Sequence, residues 1–289
     1  MQLRFSASFS LLTSFLVGVL GLIACSCCVL MGAETAETAE TAETQVPLEM
    51  RSPKHGNIFV VAHRGAHDGV PENTLAAYRR AIELDCDFVE IDVRTTRDGV
   101  LVSVHDATID AYTHDGTQGA VADMTIAELK RIDIGSKVDP KWSEERIPTV
   151  MEVLRLCKGK IGVYLDVKKA SIESLASIVK EHGSESDTLW YIPAAKISEL
   201  KKHSSAAWPM PDPGPETNLE LLLTMHRPPV VASVWRFCSK EFVETCHRSK
   251  SIVIVDDKGP ETWEQLIEWK VDGIQTDSPA KLIERLRTR

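Results

Sequence analysis

No run of Lys or Arg in this 289-residue chain is long enough to form a basic patch, and acidic residues outnumber basic ones 42 to 33, for a net charge of -9. That balance repels a phosphate backbone, so nucleic acid is excluded as a partner. Beyond the first 33 residues there is no Cys-x-x-Cys pair, which leaves a zinc knuckle unsupported. Cys86, Cys157, Cys238 and Cys246 each sit among apolar neighbours at helix-like positions, where Cys acts as a small, unpaired, buried hydrophobe. With 43% apolar and 26% charged residues, the composition is that of a folded soluble domain and excludes wholesale disorder or a fibrous chain.

Formal charge is also missing from Phe5 to Ala33, a stretch of 29 residues that follows Arg4 and contains the apolar run Leu11–Leu22. A positive start followed by an apolar run predicts an export signal. Leu22-Ile23-Ala24-Cys25 resembles a lipoprotein box, with Cys25 as the lipid acceptor. An uncleaved anchor, or cleavage after a small residue such as Ala33, are the alternatives, because the stretch exceeds the ~20 residues that span a bilayer. Tandem Glu-Thr-Ala over 34–44 follows, acidic and without a large apolar residue. The chain thus divides into a leader (1–33), an acidic tether (34–56) and a folded domain (57–289). It is expected to be exported to the periplasm or cell envelope and held to a membrane by lipid or anchor.

From Ile58 onward, short β-rich runs alternate with helical patterns, the signature of βα units around a parallel sheet. The predicted strands are Ile58–Ala62, Phe88–Val93, Ile161–Val167, Thr188–Ile192, Ala206–Met210, Val230–Val234, Ile252–Val255 and Gly273–Thr276. Helices are predicted between them at Thr74–Leu84, Ile126–Ile132, Thr149–Cys157, Ile172–His182, Ile197–His203, Leu219–His226, Lys240–Arg248, Thr262–Lys270 and Pro279–Leu286. The expected fold is α/β, a TIM (β/α)8 barrel. A further run, Val100–Val104, follows Val93 too closely for a parallel crossover, and Asp98-Gly99 lies between them. It is expected as a β-hairpin insertion after strand 2, with Thr95 opposite Val100 and His105 opposite Glu90.

A barrel places reactive groups at the C-terminal ends of its strands. Those ends are polar here: His63-Arg64-Gly65, Glu90 and Asp92, His105-Asp106, Asp166 and Lys168, and Asp277. Glu90 and Asp92 are two apart on one strand and point to the same face. Paired carboxylates in a barrel mouth are costly unless a cation lies between them, and Asp166 supplies a third oxygen donor. Such a set suits one divalent metal, Mg²⁺ or Ca²⁺. His63 and His105 offer two imidazoles for acid and base work near neutral pH, and Arg64 and Lys168 two cations for an anionic substrate. Together these groups point to phosphoryl transfer. His67-Asp68 and His114-Asp115 are read as loop residues, His182, His203 and His247 as helix-end cations, and Trp190, Trp208 and Trp235 as core or wall.

The ordered set His63-Arg64-Gly65, Pro71-Glu72-Asn73-Thr74, Glu90-Ile91-Asp92, Asp98-Gly99, His105-Asp106, Ile147-Pro148-Thr149, Asp166-Val167-Lys168 and Asp272–Asp277 resembles the glycerophosphodiester phosphodiesterases. The resemblance implies a TIM-type barrel that hydrolyses small glycerophosphodiesters to glycerol 3-phosphate and an alcohol with one divalent metal. It implies His63 and His105 as the acid/base pair, Arg64 and Lys168 on the phosphate, and Glu90, Asp92 and Asp166 on the metal. Asp166 stands where the family usually has Glu, and Ile254–Asp257 where it often has a Trp. Alternatives are a phospholipid substrate, as in sphingomyelinase D-like or phosphatidylinositol phospholipase C-like relatives, and a non-catalytic surface barrel. The intact set of imidazoles and carboxylates argues against the latter.

Overall fold

The computed structural model describes residues 51–288, so the leader, its Cys25 and the repeats of the tether lie outside the described residues. Among the described residues no helix is long and apolar enough to cross a membrane.

The strands are β1 (Phe59–Ala62), β2 (Phe88–Thr95), β3 (Leu101–Ser103), β4 (Gly162–Lys169), β5 (Thr188–Tyr191), β6 (Trp208–Pro209), β7 (Val230–Val234), β8 (Ile252–Asp256) and β9 (Gly273–Thr276). All but β3 run parallel, in the spatial order β6-β5-β4-β2-β1-β9-β8-β7, a nearly closed eight-stranded barrel. At the seam, the Ala232 N–H donates to the Pro211 carbonyl at 3.1 Å. The run Ala206–Met210 yields only two paired residues in β6, because Pro209 and Pro211 have no N–H to donate to a ladder.

Side-chain alternation builds two shells. Val60, Ala62, Val89, Ile91, Val163, Leu165, Val231, Val253 and Ile274 face outward into the core shared with the helices. Phe59, Val61, Phe88, Tyr164, Leu189, Met210, Ala232 and Ile254 face inward and fill the barrel. The helices covering it are α1 (Leu75–Glu83), α2 (Ile126–Leu129), α3 (Val150–Cys157), α4 (Ile172–His182), α5 (Ile197–His203), α6 (Leu219–His226), α7 (Lys240–Arg248), α8 (Trp263–Glu268) and α9 (Pro279–Arg287). Local chemistry sets several boundaries. Thr74 caps α1, Thr125/Glu128 and Thr149/Glu152 form capping boxes on α2 and α3, and α4 ends at Gly183 in the left-handed region. Cys86, Cys157, Cys238 and Cys246 are unpaired and buried, and burial pushes their thiols up to about 12. They are inert core residues.

β3 pairs antiparallel with β2, Val93 opposite Ser103 and Thr95 opposite Leu101, one residue away from the register the turn sequence suggests. The reason is the turn itself. The Thr96 N–H bonds the Val100 carbonyl, and Gly99 at φ 81 bonds back to Thr96, closing a turn one residue tighter than expected. His105 is therefore not opposite Glu90. Val102 of β3 and Val104, Ile109, Val121, Leu129, Ile134 and Ile147 beyond it form a small core of their own.

At the opposite end of the barrel, residues 51–56 pack across the strand starts. Arg51 pairs with Asp187 and lies over the Phe88 ring, the Lys54 N–H donates to Asp87 at 2.9 Å, and His55 donates to the Asp85 carbonyl at 2.9 Å.

Candidate active site

The inward alternation continues past the apolar layer into the mouth, where it places Glu90 and Asp92 on β2 and Asp166 and Lys168 on β4. Asp92 and Asp166 are register partners. One carboxylate oxygen from each of Glu90, Asp92 and Asp166 lies within 4.8 Å of the others. Glu90 and Asp92 are each only 1% exposed. Burial, reinforced by the charge of Asp92, holds the Glu90 carboxyl well above its ordinary range, and burial raises Asp166 despite Lys168. The Lys168 ammonium sits 2.7 Å from Asp166 and 3.3 Å from Asp92. Asp92 Oδ1 is buried and makes no hydrogen bond. A hard, oxygen-only donor set with excess negative charge, in which one buried oxygen makes no hydrogen bond and faces the Lys168 ammonium, fits Mg²⁺ or Ca²⁺.

Arg64 and Gly65 turn the chain at the top of β1, both at positive φ (51 and 85). This turn aims the Arg64 main-chain N–H at Glu90 Oε2, 2.8 Å away. Gly65 is required twice over: its φ disfavours other residues, and a Cβ there would lie 2.7 Å from Ala77 Cβ and 2.9 Å from the Ala77 carbonyl carbon. Nη1 of the Arg64 guanidinium donates to both Glu72 oxygens at 3.1 Å, with Nε 3.7 Å from Asp92. Its direction is thereby fixed across the mouth.

Each imidazole is oriented by a carboxylate through Nδ1, which leaves Nε2 as the free ring nitrogen. His63 donates to Asp277 Oδ1 at 2.7 Å, and the same oxygen accepts from His67 Nε2 at 3.0 Å. Burial alone would lower the His63 pKa, but the hydrogen bond to Asp277 and the charges of Glu90, Asp256 and Asp277 override it and lift it to about 9. The two histidines hold Asp277 far below the usual carboxylate range. His105 donates to Asp106 at 2.8 Å, and its carbonyl is gripped by Arg94 Nε and Nη2 at 2.8 and 2.6 Å. Despite the shifted register, the grip of Arg94 keeps His105 beside the end of β2.

All seven residues singled out by sequence, His63, Arg64, Glu90, Asp92, His105, Asp166 and Lys168, thus line one mouth. Asp277, Arg94 and His67 had no assigned role; His67, read as a loop residue, shares Asp277 with His63. Asp256 occupies part of the segment where the family often has a Trp, and there it adds to the field on His63.

Two cations, two imidazoles and three carboxylates in one barrel mouth are the groups that cleavage of a phosphodiester calls for. Known proteins agree. The sequence profile of the glycerophosphoryl diester phosphodiesterase family matches residues 63–189. A glycerophosphodiester phosphodiesterase of Caldanaerobacter subterraneus subsp. tengcongensis is 34% identical over 253 residues, 79% of this chain and 97% of that one. A probable glycerophosphodiester phosphodiesterase 1 of Mycobacterium tuberculosis is 52% identical over 146 residues, 50% of this chain and 43% of that protein. Among solved structures, a phosphodiesterase of Oleispira antarctica in complex with the product sn-glycerol-3-phosphate superposes with TM-score 0.73 at 23% identity, covering 80% of this chain and 97% of that one. The chain belongs to the glycerophosphoryl diester phosphodiesterase family.

Proposed function

We propose that this mouth hydrolyses small glycerophosphodiesters to glycerol 3-phosphate and an alcohol, with one divalent cation, Mg²⁺ or Ca²⁺, held by Glu90, Asp92 and Asp166. The observation that carries the proposal is the cluster of three carboxylates, in which Asp92 Oδ1 makes no hydrogen bond, flanked by two imidazoles whose Nδ1 atoms are already engaged. When bound, the cation supplies positive charge to phosphate oxygens as negative charge builds on them. Lys168 and Arg64 add to that charge from the chain itself, Arg64 held in place by Glu72. One imidazole takes the proton from the attacking hydroxyl as it bonds to phosphorus, while the other delivers a proton to the leaving alcohol oxygen as its P–O bond breaks. Attack by water gives glycerol 3-phosphate directly, whereas attack by the substrate's own glycerol hydroxyl gives a cyclic phosphate that water opens in a second step with the two roles exchanged. Asp277 and Asp106 engage Nδ1 of the two rings and so leave each Nε2 for the proton transfers.

The uncharged run 5–33 and the acidic repeats after it support export and membrane tethering of this enzyme, through lipid on Cys25 or an uncleaved anchor.

Alanine replacement tests the acid/base pair. His63→Ala and His105→Ala should each lower kcat by about 10²–10⁴-fold, the usual contribution of a positioned proton donor or acceptor. Cation affinity should persist in both. Turnover surviving in either variant removes that residue from the mechanism.

A further inference from the structure

Two residues in the left-handed region hold the paired carboxylates of β2. Arg64 (φ 51) gives its main-chain N–H to Glu90 Oε2, and Asn73 (φ 53) gives its side-chain Nδ2–H to Asp92 Oδ2, both at 2.8 Å. They are tied together, since the Asn73 N–H donates to the Arg64 carbonyl at 3.0 Å. Asn enters this region more readily than Arg does, and both are held there by surrounding contacts.

The Asn73 amide is itself fixed from behind. Its Oδ1 is 2.9 Å from the Tyr78 hydroxyl on α1 and 2.8 Å from the Ser103 hydroxyl on β3, those hydroxyls are 2.7 Å from each other, and the Asp92 main-chain N–H donates to the same Oδ1 over a longer 3.3 Å. Two hydroxyl protons serve the three hydroxyl contacts, so in every arrangement at least one reaches Oδ1. Nδ2 must then face Asp92. Asn73, Tyr78, Ser103 and Asp92 are all essentially buried, so water cannot replace a lost partner without a cavity.

We infer that Asn73, locked by Tyr78 and Ser103, is a positioning residue that reserves Oδ2 of Asp92 for itself and so presents Oδ1 to the divalent cation. The inference rests on the metal reading above. Oδ1 makes no hydrogen bond and has the Lys168 ammonium 3.3 Å away. If both hydroxyls are removed, Oδ1 of Asn73 keeps only the long bond from the Asp92 N–H, the amide is no longer fixed from behind, and its hold on Asp92 Oδ2 loosens. Either hydroxyl alone is enough for the lock, so the two losses must be more than additive.

Cation dissociation constants tell the lock from mere packing. They are measured calorimetrically with Mg²⁺ or Ca²⁺ on the full chain without substrate. Tyr78→Phe and Ser103→Ala should each stay within about threefold of wild type, as for a redundant partner. The double variant should bind about 10–100-fold more weakly, the usual loss when the support of a metal ligand is removed. Ser103→Thr in the Tyr78→Phe background should retain tight binding, because it keeps one hydroxyl. Asn73→Gly, which tolerates the left-handed backbone, should bind as weakly as the double variant and serves in its place if that variant does not fold. Thermal unfolding of the metal-free variants establishes that each is folded. A folded double variant or Asn73→Gly that binds the cation like wild type overturns the lock alone. A wild-type chain that binds neither cation overturns the metal reading and the lock with it.

Discussion

His63 owes its raised pKa to contacts that no local pattern shows, because Asp277 lies 214 residues away in the chain. The sign of its contribution to stability follows from that raised value. Below pH 6.5 the imidazolium is present in folded and unfolded chains alike and the whole stabilisation is expressed; it fades as pH rises through about 9, where the folded chain gives up the proton. Asp277→Asn keeps an acceptor and removes the charge. In metal-free protein it should cost on the order of 1–2 kcal/mol at pH 6.5, a figure discounted for the exposure of Asp277, and nothing above pH 9. Urea unfolding across pH checks this, and a cost independent of pH would remove the charge pair. At this scale the sequence showed the carboxylates because strand periodicity aims Glu90 and Asp92 together. It could not show which loops converge, so Asp277 and His67 went unassigned and Asn73 was a motif residue without a role.

Elements were more legible than side-chain partners, because apolar alternation and capping residues are local. Thr74, Thr125 and Thr149 mark helix starts as expected. What the pattern missed is steric: prolines shorten β6, and the tight turn at Gly99 moves β3 by one residue. Gly65 shows how one element depends on another. A Cβ there meets the backbone of α1, not a movable side-chain tip, so Gly65→Ala must push the turn after β1 away from Ala77. The Arg64 N–H would leave Glu90 with it. The expected result is a loss of about 1–3 kcal/mol in stability, as for overpacking elsewhere, together with a marked fall in kcat. Calorimetric unfolding and initial rates on the same preparation check it; unchanged values of both would contradict the close packing of this turn.

At the scale of the molecule, the barrel separates support from chemistry. Residues 51–56 lie across the strand starts, while the carboxylates and imidazoles lie at the strand ends. Deleting residues 1–50 should therefore leave kcat/KM on a soluble glycerophosphodiester unchanged within about twofold, whereas deleting 1–56 should also lower stability by about 1–3 kcal/mol through the lost contacts of Arg51, Lys54 and His55. Parallel assays and melting curves of the two truncations decide it; equal stability would show those contacts to be idle. The barrel was visible in the sequence because its βα units repeat in order, whereas the substrate's alcohol has no such signature, since loop shape governs its fit.

The account stands most directly on one assay: release of glycerol 3-phosphate from glycerophosphocholine by the full chain, first with a chelator and then with Mg²⁺ or Ca²⁺ restored. Release should stop with the chelator, return with a divalent cation, and fail to return in Asp166→Ala. Undiminished release under chelation, or none with either cation from a folded chain, would contradict it.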